Sequence, residues 1–319
     1  MGQKTVITMG TFDGIHIGHQ QVLKCAKEVA DAKQLPAVAC TFTFPPRLTG
    51  NDRALLMPYR AKQAILRTYV DKVEEIEFSA ICNLDSETFV RTVIVDRFHA
   101  RYVVVGERFR FGRGRKGDLS NLIELGDLHG LDIVTVPVLY SEDKPLQPVS
   151  STRIRSLVDA GKISEANKLL GRPFSLIGKV IRGDRKGREI GYPTANLTIE
   201  DSLVRPAAGI FAARIHWKSY AADGLLYIGQ RPTLHQKQTR IEVHLPGEDK
   251  GDLYGVMMEV HLLKKIRDDV KFSTIELLRR QIGKDVAELH SLMAEKKLRD
   301  SVSFIASLNH YHSSRNIDK

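Results

Sequence analysis

The feature that most constrains this chain is an alternation. From residue 5 to residue 139, short apolar runs rich in β-branched residues take turns with segments of helical periodicity. Strand-like runs fall at residues 5–9, 37–44, 73–78, 102–105 and 133–139. Helix-like segments lie between them from about His19, near 60–70, near 86–98 and near 119–129. In the first helix Val22, Leu23, Ala26, Val29 and Ala30 share one face. Strands separated by helices of this length predict parallel βαβ units with right-handed crossovers. Such a sheet takes ligands at the carboxyl ends of its strands.

Past Gly171-Arg172-Pro173 the texture changes. Two short helical segments, near 152–159 and 164–170, lead into that tripeptide. Beyond it, strand-like runs at 175–181, 210–217, 225–228, 240–245 and 257–263 are separated by Gly, Pro and Asp. That spacing predicts a small antiparallel barrel. A helical pattern through Ile275, Leu277, Leu278, Ile282, Val286 and Leu289 closes it. The expected class is α/β: a doubly wound, Rossmann-like parallel sheet over 1–171, then a β-barrel with a C-terminal helix over 172–298. A polar tail, residues 299–319, follows. A length of 319 residues suits two domains.

Composition excludes several classes. With 42% hydrophobic and 27% charged residues, the chain is neither disordered nor of low complexity. Cys25, Cys40 and Cys82 have no CxxC spacing, so no disulfide framework or cysteine-built zinc site is expected. That usage fits a reducing compartment, and with neither a signal peptide nor a run of about 18 apolar residues a cytoplasmic, membrane-free protein is expected. The net charge of +10 favours anionic partners without choosing among them.

Three sequence blocks carry chemistry. The first is Gly10-Thr11-Phe12-Asp13-Gly14-Ile15-His16-Ile17-Gly18-His19, between the first strand and the first helix. A helix N-terminus there presents unpaired N–H groups to phosphate, and Gly14 and Gly18 allow close backbone approach. His16 and His19, three residues apart, can both donate to phosphate oxygens as charge builds. The second block, Ser150-Ser151-Thr152-Arg153-Ile154-Arg155, opens another helix, where hydroxyls can cap the backbone or hold phosphate and Arg155 can clamp it. The third, Gly183 to Asn196, spaces Gly183, Gly187 and Gly191 among basic residues as a phosphate cradle without a P-loop. Between the first two, Phe109 and Phe111 interleave with arginines after a buried strand, an arrangement that can stack an aromatic ring or bind single-stranded RNA.

The GTFDGIHIGH spelling resembles the HxGH nucleotidyltransferases, in particular the bacterial bifunctional riboflavin kinase/FAD synthetases. The resemblance runs over roughly residues 5–290 through several blocks in the same order. It implies an N-terminal FAD synthetase (FMN adenylyltransferase) domain and a riboflavin kinase domain after it. Riboflavin would be phosphorylated by ATP with Mg²⁺ to FMN, and FMN would then be adenylylated to FAD with release of pyrophosphate. By resemblance His16 and His19 stabilise the α-phosphate. Gly10, Phe12, Gly14, Gly18, Ser150, Ser151, Thr152 and Arg155 form the synthetase's ATP site, and Phe44, Pro46, Phe109 and Phe111 its flavin side. In the second domain Pro193-Thr194-Ala195-Asn196 matches the kinase signature: Thr194 and Asn196 bind ADP phosphates and the metal, and Glu242 is the base. Arg108 stands where Asp or Asn is usual, Tyr227 where Asn is common, Asp269 where Glu is usual, and residues 246–250 depart from the family segment. Expected partners are riboflavin, FMN and ATP rather than nucleic acid, for a monomer or weak homo-oligomer. Three alternatives stay open: adenylylation of another phosphorylated acceptor beside a non-catalytic barrel, a kinase whose synthetase is lost, and a non-enzymatic RNA-binding protein.

Overall fold

The computed structural model describes residues 2–42, 54–141, 144–183, 186–232, 237–247 and 251–294. The chain forms two compact units, residues 1–53 with 59–151, and residues 54–58 with 152 onward.

In the first unit, β1 (Thr5–Met9), β2 (Ala37–Phe42), β3 (Lys72–Ile76), β4 (Ala100–Gly106) and β5 (Asp132–Val136) form one sheet in the order β3-β2-β1-β4-β5. Every pairing is parallel. The order reverses at β1, since β2 and β3 build outward on one side and β4 and β5 on the other. Sheets of this kind take ligands beyond the carboxyl end of the strands where the order reverses, and the Gly10–His19 block begins there. Helix α1 (Ile17–Lys33) follows and buries Leu23, Ala26 and Ala30. Next come α2 (Tyr59–Leu66), α3 (Phe78–Ile81), α4 (Ser86–Phe89) and α5 (Leu119–His129). Asp118 caps α5 by accepting from the Asn121 N–H (3.1 Å), and Gly130 ends it in the left-handed region.

Two features differ from the sequence expectation. The single helix expected over 86–98 is α-helical only in α4 and continues as a π-helix over Val90–Arg97. Phe89, Val93 and Phe98 are all buried, and their spacings of four and five suit that wider coil. After β5 a hairpin forms from β6 (Tyr140–Ser141) and β7 (Lys144–Pro148).

Helix α6 (Ser151–Asp159) leads into the second unit, followed by α7 (Ile163–Leu170), β8 (Phe174–Ile181), α8 (Lys186–Glu189) and β9 (Thr194–Thr198). Strands β10 (Gly209–Trp217), β11 (Tyr220–Pro232), β12 (Lys237–His244) and β13 (Met257–Arg267) and helix α9 (Ile275–Ala294) complete it. Six strands close a barrel in the order β10-β11-β12-β9-β8-β13, all antiparallel. Phe211, Ala213 and Ile215, fully buried on one face of β10, fill the barrel. The alternate residues Ile210 and Ala212 pack with Leu225, Leu263 and Leu289, Leu292 and Met293 of α9. Asn167 of α7 donates to the Leu262 carbonyl (2.9 Å) and accepts from the Phe174 N–H (2.7 Å). These bonds tie α7 to the barrel, and the division between units falls at Ser151, ahead of Gly171.

Two candidate active sites

The first site is built on the turn between β1 and α1. The Ile15 N–H donates to the Phe12 carbonyl (3.1 Å), with Phe12 at φ 46° and Ile15 at φ 38° on either side of Gly14 at φ 77°. Two left-handed non-glycine residues in one turn mark a conformation that its surroundings hold in place. Both are buried, Phe12 beneath His19 in an edge-on contact with ring centroids 5.4 Å apart. His16 is the N-cap of α1, and its Nδ1 accepts the His19 backbone N–H (3.2 Å). A neutral ring that accepts at Nδ1 carries its proton on Nε2, so the cap bond makes Nε2 a donor. The two imidazoles stack with centroids 3.6 Å apart and planes 16° from parallel. A Cβ on Gly18 would stand 3.3 Å from the His16 ring, so a larger residue there would press on the imidazole.

Ser151 joins this turn from the start of α6, with its hydroxyl donating to the Asp13 carbonyl (2.8 Å). Ser150 precedes it and Thr152 follows on the helix. The Arg155 Nε donates to the Ala54 carbonyl (2.7 Å) within the second unit. Phe109 and Phe111 stack on each other (centroids 5.7 Å), but Phe111 is only 5% exposed against Phe89 and serves the core. Phe109 is half-buried and packs against the same core. Phe44 and Pro46 lie outside the described residues.

Sequence reading missed Lys62 on α2. It is 5% exposed, and its Nζ donates to the Phe42 carbonyl (2.9 Å), Thr41 Oγ1 (3.0 Å) and the Thr11 carbonyl (3.3 Å). Burial pulls its ammonium down to about 8, although Asp13 and Glu75 favour the charge. The available signal was a lysine four residues before the buried Leu66, on the apolar face of a helix.

The second site lies on the barrel. Its signature tetrapeptide, read from sequence as part of a glycine loop, opens strand β9. Thr194 and Asn196 share one face of that strand, and Asn196 stands directly across from Glu242 on β12. Glu242 is also directly across from Tyr227 on β11 and forms an ion pair with Arg240. The Tyr227 hydroxyl donates to Asp269 (3.2 Å), and burial with those carboxylates pushes the phenol up to about 12. A Cβ at Gly183 would collide with the Asn196 amide, and one at Gly187 with the Tyr192 carbonyl, so both glycines allow the loop to close on β9. Gly191, at φ 79°, turns the chain toward Pro193. The Pro193 carbonyl accepts from His244 Nδ1 (2.9 Å), a buried histidine that sequence reading did not single out. Burial keeps that ring below the usual imidazole range. Among the described residues no group of three or more His, Cys, Asp or Glu could hold a metal, and no helix is long and apolar enough to cross a membrane.

A histidine pair at a helix N-terminus on one unit and a carboxylate beside a Thr/Asn strand on the other define a phosphoryl-handling transferase with two sites. The FAD synthetase family model matches residues 1–153 and the riboflavin kinase model residues 170–293. The bifunctional riboflavin kinase/FMN adenylyltransferase of Haemophilus influenzae is 34% identical, over 89% of this chain and 92% of its own length. Its counterpart in Bacillus subtilis is 32% identical, over 89% and 91%. A crystal structure described as a macrolide-efflux protein from Streptococcus pneumoniae superposes with a TM-score of 0.83 at 29% identity, covering 91% of this chain and 95% of that one. The chain belongs to the bifunctional riboflavin kinase/FMN adenylyltransferase family.

Proposed function

We propose that the barrel converts riboflavin and ATP to FMN and that the parallel-sheet unit converts FMN and ATP to FAD. The observation that carries the first step is the placement of Glu242 directly across from Asn196. Glu242 takes the proton from the ribityl hydroxyl while that oxygen forms its bond to the γ-phosphorus and ADP departs. Arg240 holds the carboxylate in place. Thr194, Asn196 and the glycine loop hold the nucleotide's phosphates. The Thr194 hydroxyl and Asn196 amide oxygen are hard, neutral donors on one face and would be the groups to hold Mg²⁺. When bound, that ion offsets phosphate charge. The residues of this chain orient the nucleotide and move the proton.

In the second step an FMN phosphate oxygen attacks the α-phosphorus of ATP and pyrophosphate leaves. The His16 Nε2 donor and His19 meet charge developing on the α-phosphate. The amides at the start of α1 and the hydroxyls of Ser150 and Ser151 hold the leaving group. Phe109 faces the flavin. The protein would act in the cytoplasm on small molecules rather than nucleic acid, as a monomer or weak homo-oligomer. Incubation with riboflavin, ATP and Mg²⁺, followed by chromatography over time, tests the reading: FMN should rise first and FAD follow. Riboflavin returned unchanged would end it.

A further inference from the structure

The turn that carries His16 and His19 rests on a buried cation that neither histidine chemistry nor phosphate binding, as read so far, uses. Lys62 reaches from α2 to the carboxyl ends of β1 and β2, and its three ammonium protons match three acceptors: the carbonyls of Thr11 and Phe42 and the Thr41 hydroxyl oxygen. The Thr41 hydroxyl itself donates to the Thr11 carbonyl (3.3 Å). Two donors thus hold one carbonyl, immediately before the left-handed Phe12. The Thr11–Phe12 peptide is trans, so fixing its oxygen toward Lys62 aims the Phe12 N–H the opposite way. Ser151 holds the Asp13 carbonyl and orients the Gly14 N–H by the same rule. Alternate peptides of the turn are therefore pinned by their oxygens, one by a cation and one by a hydroxyl.

We propose that Lys62 is a positioning residue for adenylyl transfer, its charged ammonium holding the Thr11 carbonyl so that the turn presents its amides and the His16–His19 pair in register with the triphosphate. The proposal rests on the reading that this unit adenylylates FMN. Charge matters to the geometry because an ammonium has three donors and a neutral amine only two. The titratable groups facing Lys62 are Asp13 on the turn and Glu75 on β3, with Tyr59 on its own helix, whose ring lies 5.0 Å from Nζ. Tyr59 is held above its usual range by burial and Glu75 and stays neutral where Lys62 loses its proton. For Lys62 that loss falls near pH 8.

The test measures FAD formation from FMN, ATP and Mg²⁺ between pH 6.5 and 9.5 for the whole chain and for Lys62→Met and Lys62→Arg. The wild-type kcat should fall on the alkaline side around pH 8. Lys62→Met should lower kcat about 100-fold, the scale of a misplaced reacting group, with less than threefold change in KM for ATP and FMN. Lys62→Arg should lose the alkaline limb, because its charge persists across the range. A purely structural lysine would leave kcat of the folded variants unchanged and produce no limb. A flat wild-type profile to pH 9.5, or Lys62→Met within threefold of wild type, overturns the proposal while the adenylylation reading stands. No FAD from wild type at any pH overturns that reading and the proposal with it.

Discussion

At the scale of the residue, His16 caps the fold, and in the proposed mechanism the same ring serves the chemistry. Its Nδ1 closes the first turn of α1, and its Nε2 becomes a donor because of that bond. The two roles separate by substitution. His16→Asn retains a good capping oxygen but places no donor at Nε2, whereas His16→Ala removes both. Both should cut FAD formation by about 100-fold or more, the scale of one lost oxyanion donor. Only the alanine variant should also lose about 1 kcal/mol of stability in urea. FMN formation should stay near wild type in both. Glu242→Gln should show the converse, with FMN formation down by about 10²- to 10⁴-fold and FAD formation from supplied FMN unchanged. These histidines and Glu242 could be picked out as candidates because residue type and order carry their resemblance. Lys62 could not, because a charged residue on an apolar helix face reads as an exposed edge until tertiary packing closes over it.

At the scale of the element, periodicity revealed what is amphipathic and concealed what is not. The five parallel strands and α1 and α5 were visible as apolar runs, caps and stripes. Strand β9 was hidden: only Leu197 of its five residues is buried, and its polar positions Thr194, Asn196 and Thr198 lie outside the core. The π-helical stretch after α4 was equally invisible, since apolar spacings of four and five differ too little from an α pattern. One element carries a pH prediction. His216 on β10 is buried beside His261, with rings 4.7 Å apart. Burial, then His261, push its ring down to about 4, with Glu259 opposing and Arg214 adding a smaller push. Since its folded value lies below the ordinary 6.5, the unfolded chain binds the proton first as pH falls. The stabilisation is therefore complete above pH 6.5 and is lost between 6.5 and 4, amounting to about 3 kcal/mol. Trp217, the only tryptophan, is buried one residue away and reports barrel unfolding by fluorescence. Wild type should lose that much more urea stability between pH 7.5 and 4 than His216→Gln.

At the scale of the whole molecule, two sites on two units lead to the prediction that the intermediate made on one chain can be used by another. A mixture of His16→Ala and Glu242→Gln chains, each unable to complete both steps, should make FAD from riboflavin and ATP, because FMN made by the first is used by the second. The rate should rise with the concentration of the second chain, and no FAD from the mixture would mean that FMN passes only within one molecule. The division between the units does not follow the order of the chain, however. Residues 54–58 sit early in the sequence yet belong to the later unit, where the Leu55 N–H donates to the Ser202 carbonyl (2.6 Å) and its carbonyl accepts from the Val204 N–H (2.9 Å). Leu56 and Met57 in that strip are 3% and 5% exposed. Severing the polypeptide after Ser151 would leave the front piece trailing a sticky apolar thread torn from its neighbour, and the rear piece with an open seam along Leu203. A gene split at that point would not yield two clean proteins, and a workable pair of halves would need the five-residue strip redesigned on one side and replaced on the other.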